Sequence, residues 1–160
     1  MQIRYCDAAI ALAGIKHPAR VAIAVCQGTN GRANAITLEW FMRTSIQPLM
    51  FAISIGHTRY SYECLLQNRR FNLCFPSESM RDWAMLCGTR SGREIDKFEG
   101  VPILPGRLAG LPVPRESAAV FECEIITQVR SGDHTIFIGE VRHTWANPEL
   151  SPLLLEQLLR

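Results

Sequence analysis

The sequence predicts a mainly β protein: a closed or split antiparallel β-barrel with peripheral helices. Three observations carry that prediction. Apolar runs of strand length recur between Gly, Pro and polar turn residues. Two of them form an alternating hairpin late in the chain. The strands and helices do not follow one another as β-α-β-α, which speaks against a doubly wound parallel sheet.

In chain order, ARVAIAVC (19–26) reads as a buried strand ending at the turn-rich GTNGR. NAITLEWF continues as an irregular strand, and MFAISI (50–55) is a second buried strand between Pro48 and Gly56. A helix is expected over TRYSYECLLQN, with Thr58 as its N-cap and Tyr62, Leu65 and Leu66 at helical spacing. FNLCFP (71–76) is a third strand. Ser77 or Ser79 can cap a helix over SMRDWAMLC that closes at Gly88, and SGREIDKF reads as a further short helix. The stretch 101–114 carries four prolines and is expected to be a surface excursion outside the core. In AAVFECEIITQVR, Phe121, Cys123 and Ile125 face one way and Glu122 and Glu124 the other. Ser131-Gly132-Asp133 turns the chain into HTIFIGEVR. ELSPLLLEQLLR is expected to be a helix whose leucine stripe covers a core edge or a partner subunit.

Composition bounds the function. The chain has 160 residues, 48% apolar and 20% charged, as expected of one globular domain over 1–160. A net charge of +2 is too small to predict nucleic-acid or membrane-surface binding. No run of 18 apolar residues occurs, and the N-terminal stretch lacks a signal-peptide layout, so a cytoplasmic location is expected. The six cysteines contain no C-x-x-C and are expected to be reduced and structural. His17, His57 and His143 make no metal-ligand spacing, so no metal is expected. Dinucleotide and P-loop fingerprints are both absent.

The chemistry concentrates in residues 28–62. Asn34 and Thr37 can hydrogen-bond a planar heterocycle, and Thr58, Arg59 and Ser61 can bind a phosphate at the opening of a helix. A ring and a phosphate together suggest a mononucleotide-type cofactor. Each residue also has a plainer reading. Asn34 fits a turn asparagine, Thr37 an ordinary strand threonine and Arg59 a solvated arginine. Lys97 beside Asp96 and near Glu94 fits an exposed ion-paired helix as well as a cation next to a cofactor. His134 fits a turn histidine or a group beside the reacting rings.

The fragments GRANAITLEWFMRTS, PLMFAISIG with RYSYE, NLCFPSE, CGTRSGREIDKF and SGDHTIFIGEV occur in this order from about Val21 to Val141. Together the series resembles the flavin reductase-like, FMN-binding split-barrel family, which includes flavoredoxin and NAD(P)H:flavin oxidoreductases. The resemblance implies a six-stranded Greek-key barrel and a homodimer, with one FMN per subunit near the interface. It implies that Asn34, Ala35, Ile36 and Thr37 lie beside the isoalloxazine ring, with the aromatic Trp40 nearby. Ser54, Ile55, Gly56, Arg59, Tyr60 and Ser61 would hold the phosphate and ribityl chain. Ser91, Gly92 and Lys97 would edge the same pocket, and His134 would be the catalytic candidate. Ser61 replaces a commoner Thr, Glu39 a frequent Ser and Arg90 a frequent His. The last two bear on the substrate side. Two activities stay open: an oxidoreductase moving hydride from NADH or NADPH onto FMN and then to a second acceptor, or an FMN electron carrier for a redox protein partner that does not use nicotinamide.

Overall fold

Both faces of the first strand are buried, and this places it at the centre of the molecule. In the computed structural model, which describes residues 2–160, a short helix α1 (Ala8–Gly14) precedes β1 (Ala22–Gln27). Ala22, Ala24 and Cys26 join a cluster with Ile53, Phe71, Phe75 and Phe137, inside the curved sheet. Val21, Ile23 and Val25 join a second cluster with Cys74, Ala84, Val120 and Leu153. Side chains alternate along a strand, so a run apolar at every position is what a strand between two cores requires.

The remaining elements are β2 (Ala33–Leu38), β3 (Phe41–Ser45), β4 (Met50–Gly56), α2 (Tyr60–Gln67), β5 (Arg70–Pro76), α3 (Arg81–Thr89), β6 (Ile103–Pro105), β7 (Pro112–Pro114), β8 (Ser117–Ser131), β9 (His134–Ala146) and α4 (Leu155–Leu158). Seven strands make one antiparallel sheet in the order β2-β1-β5-β8-β9-β4-β3. β8 and β9 form a long hairpin whose turn has Gly132 at φ +61°, a conformation that disfavours residues with a Cβ. Irregularities in its register at Glu122/Cys123 and Ile125/Thr127 increase the local twist. One hairpin therefore serves both halves of the barrel: β8 pairs with β5, and β9 with β4.

The antiparallel barrel with peripheral helices agrees with the expectation, and several details differ. NAITLEWF does not stay one strand. It breaks at Glu39 and Trp40 into β2 and β3, which gives seven strands where six were expected. Arg59, not Thr58, is the N-cap of α2, and no side chain caps it. Gly88 lies inside α3, which ends at Thr89. SGREIDKF forms successive turns in place of a helix, because it is tied inward near both ends: Gly92 and Lys97 are both held by other segments, as described below. The excursion 101–114 pairs with itself as the β6–β7 ribbon and buries Leu111 and Val113. That ribbon changes the environment of β8. Glu122 does alternate away from Cys123, but the face it joins is covered, and Glu122 is fully buried. Its carboxylate accepts from the Leu108 amide (2.9 Å) and from Trp145 Nε1 (2.8 Å). At the C-terminus only Leu155–Leu158 is helical. The leucines cover a core edge, with Leu153, Leu155 and Leu158 buried. No helix among the described residues is long and apolar enough to cross a membrane.

Candidate functional site

β2, the end of β4, the start of α2 and the last turn of α3 with the segment after it surround two adjoining hollows, with the start of β9 at the second. The larger, of about 380 Å³, is lined by Asn34, Ile36, Thr37, Thr58, Arg59, Tyr60, Ser61, Ser91, Gly92 and Lys97, together with 87–90, Arg93 and Glu94. The smaller, of about 170 Å³, is lined by Ile36, Thr37, Leu38, Glu39, Trp40, Ser54, Ile55, Gly56, Arg59 and His134. Ile36, Thr37 and Arg59 wall both. The larger volume lies in the range of small-molecule sites, about 300–1,000 Å³. Every residue selected from the sequence borders one hollow or both, except Ala35, which faces the core.

Asn34 is not a turn residue. It sits within β2 opposite Cys26 and is buried. Its Nδ2 donates to Ser61 Oγ (2.9 Å) and more weakly to Cys26 Sγ (3.7 Å). Its Oδ1 is buried and has no partner among the described residues. A buried acceptor left unpaired costs about 1–3 kcal/mol, so its place beside the larger hollow is informative. The Thr37 hydroxyl donates to the Ala84 carbonyl (2.5 Å), which leaves its lone pairs for a ligand.

Lys97 is buried, with no carboxylate partner among the described residues. Its Nζ donates to the carbonyls of Ala35 (2.6 Å) and Cys87 (3.2 Å), so the exposed ion-pair reading does not hold. Burial pulls its pKa below the ordinary lysine value. The Lys97 carbonyl accepts from Trp83 Nε1 (2.7 Å), which fixes the turn that aims the side chain inward. Cys87, on the same wall, has its thiol pushed up to about 12 by burial.

Two guanidiniums at the larger hollow, Arg59 and Arg90, make no side-chain hydrogen bond or ion pair among the described residues, whereas Arg93 is committed. Arg93 pairs with Glu63 of α2 and lies over the Tyr60 ring at 4.8 Å. Tyr60 Oη in turn accepts from Thr29 Oγ1 and the Asn30 amide, both at 3.2 Å. Asn30 Nδ2 (3.2 Å) and Arg32 (3.1 Å) donate to the Gly92 carbonyl. These clamps on the 91–97 segment were not legible in the sequence. Gly92 is packed so closely that an added Cβ would lie 2.1 Å from Asn34 Oδ1.

The smaller hollow is aromatic. Trp40 and His134 lie with ring centroids 4.7 Å apart. His134 Nδ1 is bonded to Asp133 Oδ1 at 2.7 Å, and this bond holds the exposed Asp133 carboxyl below its ordinary value. The other ring nitrogen, Nε2, faces Gly56 at the hollow. Among the described residues no group of His, Cys, Asp and Glu could hold a metal ion.

The donor set fits a flavin mononucleotide. It combines unpaired guanidiniums and a buried ammonium for a phosphate, amide and hydroxyl groups for ring edges, and an aromatic recess beside them. Comparison with known proteins finds flavin-related relatives. A family model described as a flavin reductase like domain matches residues 15–157. An uncharacterized protein of Archaeoglobus fulgidus is 28% identical over 114 residues, which are 70% of this chain and 64% of that protein. The chain thus covers just under two thirds of that relative. The NADH-dependent flavin reductase StyB of Pseudomonas fluorescens is 29% identical over 76% of this chain and 68% of its own length. Among solved structures, an FMN-binding protein from Thermus thermophilus with bound p-hydroxybenzaldehyde superposes with a TM-score of 0.79 and 28% identity, covering 93% of this chain and 83% of that one.

Proposed function

Because the chain belongs to the flavin reductase-like domain family, we propose that it is an FMN-binding oxidoreductase that accepts hydride from NADH or NADPH and passes the electrons to a second acceptor. The observation that carries this reading is the pairing of a cationic hollow with an aromatic one across a shared wall of Ile36, Thr37 and Arg59. The named relatives support each half: one is an FMN-binding protein and another an NADH-dependent flavin reductase.

When bound, the flavin supplies the two-electron redox chemistry. The chain's own residues bind and orient. Arg59 and Arg90 are free to grip phosphate oxygens, a geometry suited to the planar guanidinium fork. Ser61 Oγ accepts from Asn34, so its own proton can be donated to the ligand. Lys97, already bonded to two carbonyls, has one N–H left and places positive charge at the wall of the hollow. In the smaller hollow, Trp40 offers a flat face for a second ring. Asp133 orients His134 so that Nε2 is presented to what binds there.

The test is anaerobic mixing of the FMN-loaded protein with NADH and with NADPH. Rapid loss of flavin absorbance is expected with at least one of them. Retention of FMN without bleaching by either would favour the electron-carrier reading, and a protein that takes up no FMN would end both.

A further inference from the structure

The chain's basic side chains are almost all guanidiniums. Of its 17 lysines and arginines, only Lys16 and Lys97 are lysine. Lys16 is exposed. Lys97 is buried in the wall of the larger hollow, with 4% of its surface exposed. A guanidinium stays charged in a protein, whereas a buried ammonium can give up a proton and become a nucleophile. The proposed reaction asks only for positive charge at this place, which an arginine also supplies. An amine there has a chemistry of its own.

The surroundings favour that chemistry. Nζ is fixed by the carbonyls of Ala35 (2.6 Å) and Cys87 (3.2 Å) and has one N–H left at the hollow. No carboxylate among the described residues holds it as a cation. Burial, and to a smaller extent the charge of Arg59, keep its pKa below the ordinary lysine value. On the same hollow, Arg59 and Arg90 are uncommitted among the described residues and can hold a phosphate, and the Ser61 hydroxyl can donate to it. At about 380 Å³ the hollow has room for a compound of one ring and one phosphate.

We propose that Lys97 is a covalent modification site for phosphorylated aldehydes, its amine forming an imine while the guanidiniums of the hollow hold the phosphate. One proton leaves the Lys97 ammonium, and the freed lone pair attacks the aldehyde carbon. The N–C bond forms and the C–O π bond breaks. The carbonyl oxygen takes up that proton and a second one from Nζ. The remaining C–O bond then breaks, water departs, and Nζ keeps its third proton in a positively charged imine. No oxidant or reductant takes part.

The proton that stays on Nζ can keep the shorter of its two bonds, to the Ala35 carbonyl, and the Cys87 carbonyl loses its donor. The adduct hydrolyses back when the aldehyde is removed. Neither the amine nor the guanidiniums need a flavin for this. Where FMN occupies the same hollow, as proposed above, the two ligands exclude each other and FMN shields Lys97.

The probe is pyridoxal 5′-phosphate, which carries an aldehyde, a planar ring and a phosphate. The full chain with Lys16→Arg, depleted of flavin, is incubated with it, reduced with borohydride and mapped by mass spectrometry. An imine absorbance before reduction and one reduced adduct on Lys97 afterwards are expected. Pyridoxal, which lacks the phosphate, should label Lys97 about tenfold less at equal concentration, because the charged hydrogen bonds to the phosphate are missing. Excess inorganic phosphate should slow the labelling of the otherwise unchanged chain, and Lys97→Met should carry no adduct beyond the terminal amine. Labelling of the terminal amine alone, or equal labelling by the two aldehydes, would overturn the proposal. FMN added first separates the two readings, and protection of Lys97 is expected. FMN binding, seen by fluorescence quenching, without any Lys97 adduct would count against the modification site alone. A phosphate-dependent adduct that FMN does not prevent would count against the flavin reading alone.

Discussion

Arg59 walls both hollows and has no acidic partner among the described residues, so its charge is available to a ligand. Arg59→Ala should weaken FMN by about 1.5–3 kcal/mol, the range for a hydrogen bond to a charged group, and leave riboflavin, which lacks the phosphate, nearly unaffected. Titration of both ligands by fluorescence quenching checks this, and an equal loss for the two would remove Arg59 from the phosphate. Lys97 gives a pH signature. Its folded-state pKa is depressed from the ordinary 10.5 by burial, so the folded chain releases this proton before the unfolded chain does. In that window the unfolded state holds more protons, and stability rises with pH. Binding an anion reverses the preference, because it favours the charged lysine. FMN affinity should therefore fall as pH rises through the lowered value, and Lys97→Met should flatten that dependence. A wild-type affinity constant across the alkaline range would show that Lys97 does not face the ligand's charge.

At the scale of elements, the β8–β9 hairpin and the strand β1 were legible because each is specified by its own residues: alternation with a Gly turn in one, continuous apolar character in the other. Asn34, Thr37, Arg59 and Ser61 were legible as a group because a strand, a Gly-ended strand and a helix start bring them together within one stretch of chain. The family resemblance put Ser91, Gly92 and Lys97 at the pocket edge, and they line the larger hollow; the turns of the 91–97 segment were not legible, because Trp83, Arg32 and Asn30, outside the segment, set them. For Glu122, strand alternation gives the direction of the side chain but not the ribbon that covers it. The close approach of the segment to β2 can be tested. In Gly92→Ala the new methyl would meet Asn34 Oδ1 at 2.1 Å. Overpacking of this kind costs about 1–3 kcal/mol. A lower urea midpoint together with weakened FMN binding is expected, and an unchanged pair of values would mean that the segment yields freely.

For the whole molecule, the sheet has two edges, β2 and β3, that are consecutive in the chain and joined only through Glu39 and Trp40. The β3 edge exposes Trp40, Met42 and Ile46, at 57%, 62% and 81%. Uncovered apolar edges of this kind invite association. We expect a homodimer that uses this edge, measured as a two-chain mass by sedimentation, with Met42→Lys shifting the population towards single chains. A single-chain mass that does not change with concentration would sink that expectation. The partition between the hollows has a consequence of its own. Thr37 and Arg59 belong to both compartments, so neither tenant can be fitted without disturbing the other. A substitution that tightens the grip on one occupant must move the wall of its neighbour. On the proposed reading, affinity for the resident ring and selectivity for the visiting one are thus inherited together, and engineering either alone would have to begin at residues that touch a single side, such as Arg90 or Trp40.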